Sequence, residues 1–251
     1  MIYTLLQSSA AHPDLATGRV PLGLLTPAEQ AVFEGLKSDK RRRDWLLGRW
    51  TGKRLVQALA EGYFCIGHGV PLDAVEILPA EDGAPTASLL TNHESRITLS
   101  ISHSHEHAFC GLAVGVPLGV DLERVEARSE GFVRDYFVGE EIALVEAVPR
   151  ESREGVVTAI WSAKESALKA IRLGLSVDTF AVKCLPQGSG ADWSPVLIEW
   201  DLSKLQRAAP ALTGWWRVWK EFVLTVAITK SSQEFPPIPI SSGEMGIYGS
   251  L

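Results

Sequence analysis

Asp121 and Glu123 stand two residues apart in Gly119-Val120-Asp121-Leu122-Glu123, a run that reads as a strand. Side chains alternate faces along a strand, so the two carboxylates point the same way. Glu165 and Lys169 are four apart in Trp161-Ser162-Ala163-Lys164-Glu165-Ser166-Ala167-Leu168-Lys169-Ala170, which reads as a helix, and they share a stripe with Trp161. Three carboxylates and an ammonium meeting at one place would hold a hard divalent cation and a phosphate, since Mg²⁺ takes a few carboxylates together with water and substrate phosphate. Plainer readings stand beside this one. Asp-x-Glu also occurs on solvated strand edges, and an exposed Glu→Lys pair stabilises a helix by only about 0.2–0.5 kcal/mol. Gly119, Val120 and Leu122 argue for a partly buried strand, where two uncompensated carboxylates are costly.

Two further groups carry chemistry. Between Lys40 and Arg54 lie seven of the 24 lysines and arginines. On a wheel of about 100° per residue, Arg42, Arg49 and Lys53 fall within about 40° of one another, bordering an apolar side made by Trp45, Gly48, Gly52, Leu55, Val56 and Leu59. Such a stripe either clamps phosphate or simply solubilises the helix. In Ile101-Ser102-His103-Ser104-His105-Glu106-His107 the three histidines are spaced for a zinc site on a strand, for a polar loop, or for Ser102 and His103 to bind a phosphate.

The elements that must position these groups are legible. Strands are expected at 2–7, 73–79, 96–102, 107–115, 117–123, 178–185, 195–201, 213–220 and 222–229. Thr26-Pro27-Ala28-Glu29 is a capping-box pattern opening a helix over 27–36. Ser38 caps a long helix to about 61, with Gly62 as its stop. Helices are expected at 129–136, 138–148 and 153–173, the last stopped by Gly174. Both halves run strand, helices, several strands, which hints at a duplication near residue 116. Residues 231–251, rich in Ser, Pro and Gly, read as a flexible tail.

Composition excludes several classes. A net charge of −6 argues against bulk nucleic-acid binding, and 46 % apolar residues suffice for a real core. Cys65, Cys110 and Cys184 are far apart and form no C-x-x-C, which fits a reducing cytoplasm rather than a disulfide framework. No signal-peptide pattern and no run of 18 apolar residues is present, so neither secretion nor a membrane span is expected.

Taken together, these segments resemble the 4′-phosphopantetheinyl transferases of the monomeric, surfactin-synthetase-activating class. Gly119 to Glu123 is similar to that family's Gly-hydrophobic-Asp-hydrophobic-Glu strand. Tyr136-Phe137-Val138-Gly139-Glu140-Glu141 resembles its aromatic pair followed by a glutamate, and Trp161, Lys164, Glu165 and Lys169 match its Trp-x-x-Lys-Glu-x-x-x-Lys. Arg42 to Arg49, Asp82-Gly83-Ala84-Pro85, Ser100 to Ser104, Gly174-Leu175-Ser176 and Phe180 resemble further pieces in the right order, over roughly residues 20–185. Ala84 departs from the family's lysine.

The resemblance implies an α+β pseudodimer: residues 1–115 contact the nucleotide of coenzyme A, residues 116–230 carry the metal and catalytic groups, and the active site lies in the cleft between the halves. It implies transfer of 4′-phosphopantetheine from coenzyme A to a serine of an apo acyl or peptidyl carrier protein, by a cytoplasmic monomer needing neither nucleic acid nor membrane. Asp121, Glu123 and Glu165 would hold Mg²⁺, with Mn²⁺ as a substitute. Lys169 would neutralise a phosphate oxygen, with Lys164 nearby. Glu141 would be the general base, with a water held by the metal as the alternative. Arg42, Arg49, Ser102 and His103 would bind the nucleotide end, with Lys53 on the same stripe. Two rival expectations are a zinc hydrolase built on His103, His105 and His107, and a relative that binds coenzyme A or a carrier protein without turnover.

Overall fold

The computed structural model describes residues 1–62, 69–89, 97–173, 177–205, 208–230 and 235–240; Cys65, Gly174-Leu175-Ser176 and most of the 231–251 tail lie outside them. The chain divides into two compact units, Met1–Gly115 together with the segment from Ile238 onward, and Val116–Pro237.

Within the first unit, Pro27 at the helix start and a full Thr26/Glu29 capping box open α2 (Pro27–Glu34), as the sequence pattern requires. It follows β1 (Ile2–Ser8) and a short α1 (Pro13–Thr17), and precedes α3 (Asp39–Gly62). Ser38 caps α3, accepting from the Arg41 amide at 3.2 Å. Then come β2 (Val75–Pro79), β3 (Pro85–Leu89), β4 (Ile97–Ser104) and β5 (His107–Val114). β5 lies between β1 and β4 in an antiparallel sheet, and β2 pairs with β3. Leu55, Val56 and Leu59 of α3 bury their stripe against Val75, Ile77, Leu99 and Leu112.

The second unit repeats this order: β6 (Leu118–Arg124), α4 (Glu130–Tyr136), α5 (Gly139–Ala147), α6 (Arg153–Ala170), β7 (Val182–Pro186), β8 (Ser194–Trp200), the single-turn α7 (Leu202–Leu205), β9 (Leu212–Trp219) and β10 (Phe222–Thr229). Its sheet runs β6-β10-β9-β8-β7, antiparallel throughout. In both units the first strand pairs with the last, and the longest helix packs across the sheet. Helices set against antiparallel sheets make the chain α+β.

One further strand, β11 (Ile238–Pro239), joins the edge of the first unit's sheet. It runs parallel to β1, with Tyr3 opposite Ile238, and the Ile240 amide donates to the Thr4 carbonyl at 2.7 Å. Residues 238–240 therefore depart from the expected tail, because β1 offers them an unpaired edge.

The duplication, read above from element order alone, also has residue-level support. In the first unit, Glu29 at the third position of α2 accepts from the Ile77 amide of β2 at 2.9 Å and is ion-paired to Lys53 of α3. In the second, Glu141 at the third position of α5 accepts from the Cys184 amide of β7 at 2.7 Å and is ion-paired to Lys164 of α6 at 2.9 Å. All four side chains are 0 % exposed. Each clamp ties a short helix, a long helix and the next strand. A buried charge persists only when it is paired and hydrogen-bonded, and both clamps meet that condition.

Candidate active site

The acidic strand β6 lies under α6 because both are stripped of bulk where they meet. Ser162, Ser166 and Ala170 are the small residues of the helix that meet the strand, while Ala159, Ala163 and Ala167 pack with residues of β7 to β10. A Cβ on Gly119 would lie 2.0 Å from the Ser166 carbonyl oxygen and 2.5 Å from the Ala170 nitrogen. Only glycine admits so close an approach. The approach brings the Lys169 ammonium to 2.6 Å from Asp121 Oδ1, with a second contact to the Val120 carbonyl at 3.3 Å. Asp121 Oδ2 accepts from Ser162 Oγ at 2.8 Å.

Glu123 is half-buried and held at both oxygens. Trp161 Nε1 donates to Oε1 at 3.2 Å and the Arg128 guanidinium to Oε2 at 3.3 Å. Trp161 is in turn wedged against Phe132 and Tyr136, with centroids 5.1 and 5.3 Å away, and Arg128 stacks over Phe132. Trp161, Glu165 and Lys169 form the partly exposed stripe of α6, while Ser162, Lys164, Ser166 and Leu168 are buried.

The carboxylates feel one another. Burial raises the Glu165 carboxyl to about 7, Lys169 opposes the shift, and the charges of Asp121 and Glu123 add to it. Glu123 is likewise pushed up by burial and then by Asp121, against Arg128, Trp161 and Lys169. Among the described residues no three side chains close on a common point as a coordination sphere. The donor set nevertheless suits a hard cation: three oxygen ligands, mutually repelling and partly desolvated, which a divalent ion would relieve.

Glu141 and Lys164 do not belong to this group, which corrects two expected roles. Glu141 Oε2 accepts from the Val138 amide at 2.8 Å and its other oxygen from Cys184. Lys164 donates to the carbonyls of Thr179 and Val182 at 2.9 and 2.6 Å. With both side chains sealed and fully engaged, neither reaches an incoming hydroxyl. The first unit carries the same clamp without the acids. Counting along β1 as along β6, Leu5 and Gln7 stand where Asp121 and Glu123 do, and Arg54 follows Lys53 where Glu165 follows Lys164.

The basic stripe is also redistributed. Lys53 is sealed against Glu29 and the Leu24 carbonyl, because a 40° turn beyond Arg49 carries it into the apolar face of α3. Arg49 lies 4.3 Å over the Trp45 ring and is 8 % exposed, and its Nε has no hydrogen-bond partner among the described residues. Burial lowers its pKa to about 10. Arg42 donates to the Leu36 carbonyl at 2.9 Å and stacks on Phe33. Ser102 is buried in β4.

His103 lines a cavity of about 360 Å³, with Lys40, Arg43, Ser104 and His105. Lys40 and Arg43 were missed as candidates, although with Asp44 and Leu47 they make one helical face at a spacing of 3, 1 and 3. The zinc reading fails on backbone geometry. His105 and Glu106 occupy left-handed positions of the β4–β5 turn, which breaks the strand alternation the three histidines required, and no such metal group exists among the described residues.

Comparison with known proteins bears on the second unit above all. Residues 117–226, from the start of β6 into β10, match the family model of the 4′-phosphopantetheinyl transferase superfamily. The chain is 33 % identical over 99 residues to a holo-[acyl-carrier-protein] synthase of Bacillus pumilus, covering 39 % of this chain and 78 % of that one. It is 29 % identical over 85 residues to the 4′-phosphopantetheinyl transferase HetI of a Nostoc species, covering 33 % of this chain but only 36 % of HetI. A solved holo-(acyl-carrier-protein) synthase from Bacillus anthracis, in complex with CoA (3′,5′-ADP), is 24 % identical and covers 45 % of this chain and 93 % of that one, with a TM-score of 0.36. The matched segment contains the whole Asp121, Glu123, Glu165 and Lys169 group, and on that segment the chain belongs to the 4′-phosphopantetheinyl transferase superfamily.

Proposed function

We propose that this protein transfers 4′-phosphopantetheine from coenzyme A to a serine of an apo acyl or peptidyl carrier protein, as a member of the surfactin-synthetase-activating class. The observation that carries the reading is the coincidence of the family match with three partly buried carboxylates and a lysine gathered by β6 and α6. The serine oxygen forms a bond to the pyrophosphate phosphorus on the pantetheine side. The bond from that phosphorus to the departing 3′,5′-ADP breaks, and the serine proton passes to solvent water.

Asp121, Glu123 and Glu165 would hold Mg²⁺, or Mn²⁺ in its place. When bound, the ion would supply positive charge against the negative charge that builds on the pyrophosphate in the transition state. Lys169 directs the Asp121 carboxylate through their ion pair. Trp161 and Arg128 orient Glu123, and the aromatic wall of Phe132, Tyr136 and Trp161 limits water around it. For the nucleotide end of coenzyme A, the cavity lined by His103, Lys40 and Arg43 would offer the phosphate-binding groups. Such contacts lie remote from the reacting phosphorus and act through binding. The expected partners are therefore coenzyme A and a carrier protein, met in the cytoplasm by a monomer. No described helix is long and apolar enough to cross a membrane.

Incubation with coenzyme A, Mg²⁺ and a panel of apo carrier proteins, read by intact mass, tests the reading. A carrier that gains the mass of 4′-phosphopantetheine supports it. Folded protein that leaves every carrier of the fatty-acid, polyketide and peptide classes unmodified refutes it.

A further inference from the structure

The side of Asp121 turned away from Lys169 leads into a buried chain of hydroxyls. Ser162 Oγ donates to Asp121 Oδ2 at 2.8 Å. Thr225 Oγ1 lies 2.9 Å from Ser162 Oγ and 2.9 Å from the Ser162 carbonyl. Ser166 Oγ lies 2.6 Å from Thr225 Oγ1. Ser162, Thr225 and Ser166 are all buried, and Thr225 is the residue paired with Asp121 across β6 and β10. Strand register and one turn of α6 together build the chain.

A carboxylate oxygen accepts, so Ser162 Oγ donates to Asp121. Thr225 Oγ1 donates to the Ser162 carbonyl at 2.9 Å, and Ser166 Oγ reaches the Thr225 carbonyl at 3.2 Å. Thr225 and Ser166 are thus each held by a neighbour's backbone carbonyl as well as by the next hydroxyl. A buried polar network satisfied in this way is rigid.

We propose that Ser162, backed by Thr225 and Ser166, is a positioning residue that fixes the rotation of the Asp121 carboxylate for the divalent cation. The inference rests on the metal reading above. Lys169 already supplies compensating charge to Asp121, so what the hydroxyl chain adds is direction. It holds one oxygen from the helix side and leaves the carboxylate no freedom to swing when Lys169 shifts toward a phosphate. Outer partners of ligating carboxylates commonly set metal affinity by this means.

The test uses Mn²⁺ as the probe. Free Mn²⁺ is titrated by electron paramagnetic resonance against wild type, Asp121→Ala, Ser162→Ala, Thr225→Val and Thr225→Ser, and the Mg²⁺ dependence of transfer is measured on the same samples. Ser162→Ala and Thr225→Val are expected to weaken Mn²⁺ binding by roughly 10–100-fold. They should raise the half-saturating Mg²⁺ concentration by a similar factor and keep the rate at saturating Mg²⁺ within a few-fold of wild type. Thr225→Ser, which keeps the hydroxyl, should bind as wild type does. Thr225→Val keeps the side-chain shape, so a role in packing alone would leave binding untouched; wild-type binding by folded Thr225→Val and Ser162→Ala overturns the proposal. Should Ser162→Ala not fold, the Thr225→Val and Thr225→Ser pair decides. A folded wild type that binds no Mn²⁺, and is matched by Asp121→Ala, refutes the metal reading itself, an outcome distinct from failure of the variants alone.

Discussion

Breaking the Glu141–Lys164 clamp separates a structural role from a catalytic one. Both side chains are 0 % exposed and 2.9 Å apart, so Glu141→Gln leaves the Lys164 ammonium buried without its counter-charge. Removing one partner of such a pair costs about 3–5 kcal/mol. For a chain of this size that lowers the melting temperature by roughly 6–20 °C. The glutamine keeps one carbonyl oxygen, so one of the two amide contacts, to Val138 or to Cys184, survives. Adding Lys164→Met removes the stranded charge but also the donors to Thr179 and Val182, so the double variant should be less destabilised than the sum of the singles without returning to wild type. Glu29→Gln provides the internal control, since it breaks the same clamp in the unit that lacks the acids. Thermal melts should give similar losses for both glutamine variants. Transfer rates per folded molecule, read by carrier-protein mass, should stay within about tenfold of wild type, whereas loss of a general base would cost roughly 10²–10⁴-fold. A Glu141→Gln protein that melts like wild type yet turns over more than a hundredfold slower would refute the structural assignment.

Four further outcomes are expected. Glu165 holds its proton up to about pH 7, so a metal must displace it; Mg²⁺ affinity measured by calorimetry should rise as pH climbs toward 7 and level off above, and Lys169→Met, which removes the opposing charge, should move that limb upward. The same shift destabilises the charged form in the fold: relative to its ordinary value of 4.5, Glu165 weakens stability as pH rises from 4.5 through 7, and Glu165→Gln should flatten that slope in pH-dependent melts. Gly119→Ala should force α6 away from β6, lowering both the melting temperature and transfer; an unchanged melt would show that the close approach relaxes freely. Arg43→Ala and His103→Ala should raise KM for coenzyme A several-fold with kcat little changed, and a pure kcat effect would remove the cavity from the binding path.

Much of the second unit was legible because its periodicities are strong. The strand expected at 222–229 is β10, and the helix from 153 is α6, which ends at Ala170 rather than 173. The Asp121, Glu123, Glu165 and Lys169 pattern could be read from alternation and helical spacing, since both fix which side chains share a face. Ser162 and Thr225 could not, because their meeting depends on the register of β6 against β10, which lies between distant segments. Lys53 and Glu141 misled for one reason. A charged residue in a hydrophilic-looking run gives no local sign that a partner 24 or 23 positions away will bury it. The short strands β3 and β11 were missed: β3 opens on Pro85 and runs through the small residues Thr86, Ala87 and Ser88, and the two residues of β11 carry no alternation. The strand expected to begin at 178 opens instead with a single 3₁₀ turn, Thr179–Ala181, started by Asp178 accepting from the Phe180 amide.

The pairing of Tyr3 with Ile238 sets an order of events during synthesis. The first unit's sheet acquires its last strand only from residues made after the entire second unit. At ribosomal rates of about 5–20 residues per second, the Val116–Pro237 segment takes roughly 6–24 s to emerge, and β1 waits through that interval with an open edge. A truncated product, or a ribosome stalled before Ile238, would leave that edge open permanently. Nascent chains on crowded polysomes would then be most prone to pair with one another through β1, at the stage when the second unit is already complete.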